Sequence, residues 1–336
     1  MVAHTTWLYW SISIVTIFAK LFAADNYDDF GSNNGCVFVL QYSTPGEMGG
    51  SWTLVGDTPV GVYPGGTSSY FGRQPIGLSQ DGHTIVIGAQ NTDHNEIPAS
   101  MRIREYTTDD SDLINVGPTA IFQYRTVTES EFNAGNTADI PMVINGTPVI
   151  LAMGGSWIAD KKYWVQLGNF VYIPYRLAYG TQNVSISSDG YRVMISSNKN
   201  LVSGENDRGS IQVYEYSDPG SINGTWNRIG ATIFGGTDTQ GVGYKGTACM
   251  SPDGNVIVYG RRVNDYSTVS GHGTTTYGSL RAFEYRLVSQ SEWDNAKKAA
   301  VGDITTSQGV SLIYPDGDTE LNTTKKYWIQ MGGDII

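Results

Sequence analysis

IGLSQDGHTIVIGA, residues Ile76 to Ala89, sets Ser79-Gln80-Asp81-Gly82 between two apolar runs. Asp-Gly between such runs is the strongest short-range hairpin signal, because the central turn positions of a tight hairpin favour positive φ. The element returns as VSISSDGYRVMIS (Val184 to Ser196) and as ACMSPDGNVIVYG (Ala248 to Gly260). MVINGTPVILAMG (Met142 to Gly154) and VSLIYPDGDTEL (Val310 to Leu321) are weaker copies, so hairpins are predicted at five places.

Outward from each hairpin, a polar loop leads to an alternating strand ending in aromatic-x-Tyr, as in MRIREY (Met101 to Tyr106), IQVYEY (Ile211 to Tyr216) and LRAFEY (Leu280 to Tyr285). A Trp-x-x-apolar-Gly strand is opened by Trp52, Trp164, Trp226 and Trp328, and Leu113 and Trp293 head degraded copies. The successive turns at Asp81, Asn145, Asp189, Asp253 and Asp316 are spaced to leave room for four short strands between one and the next. That is the blade of a β-propeller. No stretch carries a helical apolar period.

The chain is also duplicated on a longer scale. GCVFVLQY (Gly35 to Tyr42) is echoed in the second half by GSIQVYEY (Gly209 to Tyr216), and FQYRTVTESEF (Phe122 to Phe132) by FEYRLVSQSEW (Phe283 to Trp293). KKYWVQLG (Lys161 to Gly168) is likewise echoed by KKYWIQMG (Lys325 to Gly332). The prediction is an all-β chain forming a single β-propeller of six four-stranded blades, two three-blade halves, with five or seven blades as the alternatives. The propeller takes residues 25–336, after a hydrophobic leader at 1–24.

The Trp-x-x-apolar-Gly strand, Phe71-Gly72 ahead of Ser79-Gln80-Asp81-Gly82, the following Gly88-Ala89 and the Tyr-Glu-Tyr ending at Tyr216 make the pattern specific. It resembles the secreted β-propeller repeat proteins, loosely related to FG-GAP and kelch-type propellers, of marine bacteria, algae and large algal viruses. The resemblance covers nearly the whole chain after Asp25. It implies a surface or binding protein and carries no single shared activity.

With 41 glycines, 21 tyrosines and 16% charged residues in 336, the composition is that of a turn-rich all-β protein. A net charge of −11 and the lack of a basic run argue against nucleic acid as a partner. Cys36 and Cys249 are too few for a disulfide framework and are expected to be buried free thiols. The apolar run Trp7 to Ala24 fits two readings. It has the length of a signal peptide or anchor, with small residues at Ala23 and Ala24. In the register that sets Gly35 on Gly209, however, Ser11-Ile12-Ser13 falls on Ser185-Ile186-Ser187, the inner strands of a blade. The first reading implies secretion or a cell or particle surface, the second an intracellular protein. Of four Asn-x-Ser/Thr sequons, Asn223 and Asn322 are the expected glycan sites; Asn145 lies in a tight turn and Asn183 starts an inner strand.

Chemistry is sparse. His4, His83, His94 and His272 have no partner at metal-ligand spacing, and no Gly-x-Ser-x-Gly elbow is present. A sialidase-type propeller is the enzymatic alternative, but its Ser-x-Asp-x-Gly-x-Thr-Trp box differs from the adjacent Asp-Gly pairs here, and Arg102, Arg104, Arg261 and Arg262 form no recognisable trio. Calcium is the one ion the FG-GAP likeness brings in; a Ser-x-Asp-Gly turn offers a single carboxylate, so no cofactor is expected. No catalytic or metal residues are assigned, and the chain is read as non-enzymatic.

Function is expected on loops. If the Asp-Gly turns join the first two strands of each blade, the unlike connections Gln90 to Ala99, Ser197 to Gly209 and Arg261 to Gly278 emerge together on the opposite face. His94, Glu96, Arg208, Tyr266, His272 and Tyr277 are its candidate binding residues, for a surface protein or a glycan. The recurring Trp and Tyr residues are expected to be inter-blade core rather than a sugar ladder. Lys161-Lys162 and Lys325-Lys326 are expected to be edge-strand charges.

Overall fold

The computed structural model describes residues 14–16, 19–24, 36–44, 49–56, 76–88, 92–93, 115–116, 119–138, 149–151, 155–171, 174–175, 183–197, 209–234, 247–265, 276–298 and 312–333. They are all-β, in several sheets that are antiparallel apart from two short parallel pairs, and none of the sheets closes on itself.

The first sheet runs β1 (Ile14–Thr16), β2 (Ala19–Ala24), β3 (Cys36–Tyr42), β4 (Trp52–Leu54), each strand beside the next. The second starts with the hairpin β5 (Ile76–Leu78) and β6 (Thr84–Gly88) and continues through β9 (Thr119–Thr126) to β12 (Lys162–Gln166), beyond which lie β11 (Val149–Leu151) and β10 (Asn136–Ala138). A three-stranded ribbon of β7 (Thr92–Asp93), β8 (Asn115–Val116) and β13 (Pro174–Tyr175) stands beside it. The third sheet is β14 (Asn183–Ile186), β15 (Arg192–Ser197), β16 (Ser210–Tyr216) and β17 (Trp226–Arg228), with β18 (Ile233–Phe234) also on β16. The fourth is β19 (Ala248–Met250), β20 (Val256–Asp265), β21 (Thr276–Arg286), β24 (Tyr327–Gln330), β23 (Leu312–Tyr314) and β22 (Lys297–Lys298) in spatial order.

Strands fall where the duplication requires. β16 and β17 occupy the second-half copies of the segments that form β3 and β4, so the third sheet mirrors the first and the fourth mirrors the second. Among the described residues each half therefore contributes two large sheets, where three blades per half were expected. The second runs of the two weak hairpins form no separate sheet among the described residues. β11 pairs antiparallel with β12 and parallel with β10, and β23 pairs antiparallel with β24 and parallel with β22. Among the described residues β23 does not pair back across its Asp316-Gly317 turn, and β11 and β23 each widen an existing sheet.

Two short helices correct the expectation of none: α1 (Glu129–Ala134) and α2 (Gln290–Asn295). Each starts on a complete capping box. Thr128 Oγ1 accepts from the Glu131 amide at 3.1 Å while Glu131 Oε2 accepts from the Thr128 amide at 2.8 Å, and Ser289 and Glu292 repeat the exchange. Trp293, expected to open a strand, is instead the buried residue of α2, its ring 5.2 Å from that of Tyr327; Phe132 of α1 packs on Tyr163 at 5.3 Å. The two lysine pairs are not on edges either. β12 lies between β9 and β11 and β24 between β21 and β23, and the ammonium groups of Lys162 and Lys326 sit over the Tyr124 and Tyr285 rings.

The sheets stack face to face. Val37 and Val39 of the first meet Ile85, Ile87 and Phe122 of the second. Val86, Ile121 and Leu167 of the second meet Val193, Ile195 and Tyr214 of the third. Met194, Ile211 and Val213 of the third meet Ile257, Tyr259 and Phe283 of the fourth. Alternation along each strand sends successive residues to opposite faces, so an inner sheet buries both. Cys249, expected to be buried, is exposed: in the short β19 it falls on the face turned away from its buried neighbour Ala248.

Candidate functional site

The Asp-Gly turns fix which ends of the sheets carry the loops. In each, the Gly amide donates to the Ser carbonyl (Gly82 to Ser79 at 3.0 Å, Gly190 to Ser187 at 3.0 Å, Gly254 to Ser251 at 2.9 Å), and only the Gly takes positive φ. That is a type I turn followed by a left-handed glycine, not the mirror-image turn in which both central residues are left-handed. The Ser hydroxyl donates to the Asp carboxylate, which also accepts from the amide two residues on: His83 at 2.9 Å, Tyr191 at 3.0 Å, Asn255 at 3.1 Å. These bonds, led by that from Ser251, hold the Asp253 carboxyl down at about 2. The carboxylates are thus engaged within their own turns, which suits a structural part and not an ion-wrapping loop.

Neighbouring turns touch. A Cβ on Gly190 would lie 2.4 Å from Thr84 Oγ1 in the second sheet, and one on Gly254 would lie 2.5 Å from Arg192 Cδ in the third. Gln123 Nε2 donates to the Tyr191 hydroxyl at 3.2 Å, joining the second sheet to the third. Arg192 donates to Glu215 Oε1 at 2.7 Å within the third sheet and to Asn255 Oδ1 at 2.6 Å across to the fourth. The turns therefore share one polar, cross-linked face.

The connections between the second and third strands of these sheets leave from the other end. Their roots are the register pairs Gly88 with Thr119, Ser197 with Ser210, and Asp265 with Thr276. Thr119, Ser197 and Ser210 are buried, so the loops spring from a packed base. His94, Glu96, Arg208, Tyr266 and His272 lie outside the described residues. Tyr277, expected in a loop, belongs to β21 opposite Asn264, because β20 and β21 continue as a ribbon past Gly260 with an irregularity between Arg261 and Asn264. Arg261 is likewise in strand; Arg102 and Arg104 lie outside the described residues, as does Asn145. Asn223 and Asn322 are exposed. Asn183 is buried in β14 and donates through Nδ2 to the Ala248 carbonyl.

The tryptophans join one sheet to the next. Trp164 Nε1 donates to the Val55 carbonyl of the first sheet at 2.8 Å, Trp226 Nε1 to that of Leu167 in the second at 2.8 Å, and Trp328 Nε1 to that of Ile229 in the third at 3.2 Å. Each indole is backed by a tyrosine of its own sheet, Tyr124, Tyr216 and Tyr285, with ring centroids 5.0 to 5.2 Å apart. Burial pushes the Tyr216 hydroxyl up to about 12, while it accepts from the Gly224 amide at 2.9 Å. Among the described residues no three His, Cys, Asp or Glu side chains come together as a metal site would need. His83 Nδ1 lies 3.5 Å from Asp81 Oδ2 in its own turn.

No protein-family model matches the chain, and no curated protein does.

Proposed function

We propose that the stacked sheets are blades of a β-propeller-like array and that the protein is a non-enzymatic recognition or adhesion module of a cell or particle surface. It binds a partner protein or a glycan through the loops between second and third strands. One observation carries the reading: the Ser-x-Asp-Gly turns of adjacent sheets are cross-linked on one face, and the roots of the long, mutually unlike connections leave from the opposite ends of the same strands. A rigid scaffold with variable connections at one end is the usual arrangement for recognition. Shortening 94–99, 198–208 and 266–275 together to Gly-Ser linkers is expected to abolish retention on a glycan array and in pull-downs while leaving the melting temperature unchanged. Full binding by the shortened protein would overturn the loop face as the site.

One pairing favours a second localisation. β2 forms a continuous ladder with β3, from Ala19 opposite Gln41 to Ala24 opposite Cys36, which supports residues 19–24 being blade strands and with them an intracellular scaffold. N-terminal sequencing of the protein from its native source separates the two: a processed start after Ala24 supports the surface reading, and an intact start in soluble protein supports the scaffold.

A further inference from the structure

The connection from β16 to β17 is a strap laid across to the second sheet. Its Ile222 is buried in a socket formed by Val127, Phe132, Ile150, Tyr163 and Val165 of the second sheet and α1. Arg125 donates from the second sheet to the Gly220 carbonyl at 3.1 Å, and the Tyr191 hydroxyl donates to the Pro219 carbonyl at 2.8 Å. The hub is the Tyr216 hydroxyl, which donates to the Ser221 carbonyl at 3.2 Å and accepts from the Gly224 amide at 2.9 Å. The main chain of the strap is thus tied down on both sides of Ile222.

Asn223 stands between these ties, exposed, with a buried glycine after it. Asn-Gly is the dipeptide most prone to spontaneous deamidation, because no Cβ on the glycine obstructs its nitrogen from attacking the Asn Cγ. The N–Cγ bond forms and the Cγ–Nδ2 bond breaks; Nδ2 leaves as ammonia with the glycine amide proton, and a succinimide remains. Water then opens the ring at one carbonyl or the other, giving aspartate or isoaspartate. In the closed strap the attacking nitrogen is engaged. Its N–H is donated to Tyr216, and burial pushes that hydroxyl up to about 12, so at neutral pH no phenolate takes the amide proton. Gly224 is also wedged against the ring, since a Cβ there would lie 2.6 Å from Tyr216 Cζ. The first sheet repeats the bond, from the Gly50 amide to the Tyr42 hydroxyl at 2.8 Å, but sets Gly49 where Asn223 stands. The tyrosine clasp therefore belongs to the repeat, and the reactive asparagine is particular to the third sheet. Of the chain's three Asn-Gly pairs, Asn223-Gly224 is the one among the described residues.

We propose that Asn223 is a site of spontaneous deamidation guarded by the closed strap and converted when the strap lifts, and that the isoaspartate formed keeps the strap from closing again. Isoaspartate inserts an extra methylene carbon into the main chain between Ile222 and Gly224. With that spacing changed, Ile222 no longer reaches its socket while Gly224 reaches the Tyr216 hydroxyl. The conversion is one-way, so it records that the second and third sheets have parted at the strap.

The full-length protein, made in bacteria so that no glycan covers Asn223, tests this by peptide mass spectrometry of residue 223 during incubation at neutral pH. Conversion is expected to run about tenfold or more slower in the folded protein than in the same protein unfolded in urea. Tyr216→Phe keeps the ring against Trp226 but loses both hydrogen bonds of the hub, and should speed conversion in the folded protein about fivefold or more. Ile222→Ala, which empties the socket, takes its place if that chain does not fold. Hydrogen exchange reads the second half of the proposal. The Gly224 amide should lose its protection in the isolated isoaspartyl form and keep it in Asn223→Asp, which has the charge without the extra carbon. Equal rates in folded and unfolded protein overturn the proposal. So does a loosened strap that deamidates no faster than wild type, or an isoaspartyl form with Gly224 protected as before.

Discussion

At the scale of single residues, the glycine of the Ser-x-Asp-Gly turn answers two demands at once. Gly190 has φ 79°, a conformation that costs an L side chain on the order of 1 kcal/mol, and a Cβ there would meet Thr84 Oγ1 at 2.4 Å and Thr84 Cβ at 2.6 Å. The second contact is to an atom fixed by its own backbone, in a buried strand, so no rotamer change relieves it. Gly190→Ala is therefore expected to destabilise the protein by about 2 to 4 kcal/mol in urea unfolding, more than turn strain alone would give. A loss under about 1 kcal/mol would mean that the two sheets are free to part at this turn. The turn itself is legible in the sequence, because Asp-Gly between apolar runs has a physical reason to be there. Its class is not, since one left-handed residue and two call for the same dipeptide. Nothing in the sequence tells that the glycine is also a spacer against the neighbouring sheet, a demand made by tertiary packing. Cys249 is a similar case: its exposure follows from the pleat of the short strand β19, and Cys as a residue type carries no signal of it.

Elements as short as α1 and α2 escape a periodicity argument. A helical stripe needs two turns or more to stand out, and these helices bury a single side chain each, Phe132 and Trp293. The signal that is present is local: Thr-Glu-Ser-Glu and Ser-Gln-Ser-Glu, Thr128 to Glu131 and Ser289 to Glu292, both fit the capping-box pattern. In the second box Glu292 has a further partner. Arg286 donates to both its oxygens, at 2.7 and 3.2 Å, and the Ser289 amide donates at 2.9 Å. These bonds, the guanidinium first, hold the Glu292 carboxyl at about 2 against an ordinary value of 4.5. A carboxyl lowered on folding stabilises the fold fully above its unfolded value and loses that contribution as pH falls through the folded one. The melting temperature of wild type should accordingly exceed that of Glu292→Gln at neutral pH, and the gap should close between pH 4.5 and about 2. A gap that is constant across that window would show that the carboxylate's charge has no part in holding α2.

Among the described residues the four large sheets are coupled each to the next. Tryptophans at matching strand positions are legible as inter-sheet core, because a residue recurring at one place per blade must answer a demand that recurs per blade. The number of blades is not, since an Asp-Gly pair also stands where β23 runs out along a sheet flank. In a nearest-neighbour array each junction has its own stability, and loosening one frees the sheet beyond it before the rest. The first junction is the sharpest place to test this. Trp164→Phe keeps the ring against Gly56 and Tyr124 but leaves the Val55 carbonyl without the indole N–H that donates to it at 2.8 Å, a loss of about 1 to 2 kcal/mol. Hydrogen exchange should show where it falls. Amides of β3 and β4 are expected to exchange about tenfold faster or more in Trp164→Phe, while those of β15, β16 and β21 keep their wild-type protection, because the junctions at Trp226 and Trp328 are untouched. Equal acceleration in every sheet would instead mean that the array opens only as a unit, and that the clasp at Trp164 supports the whole row and not the first sheet alone.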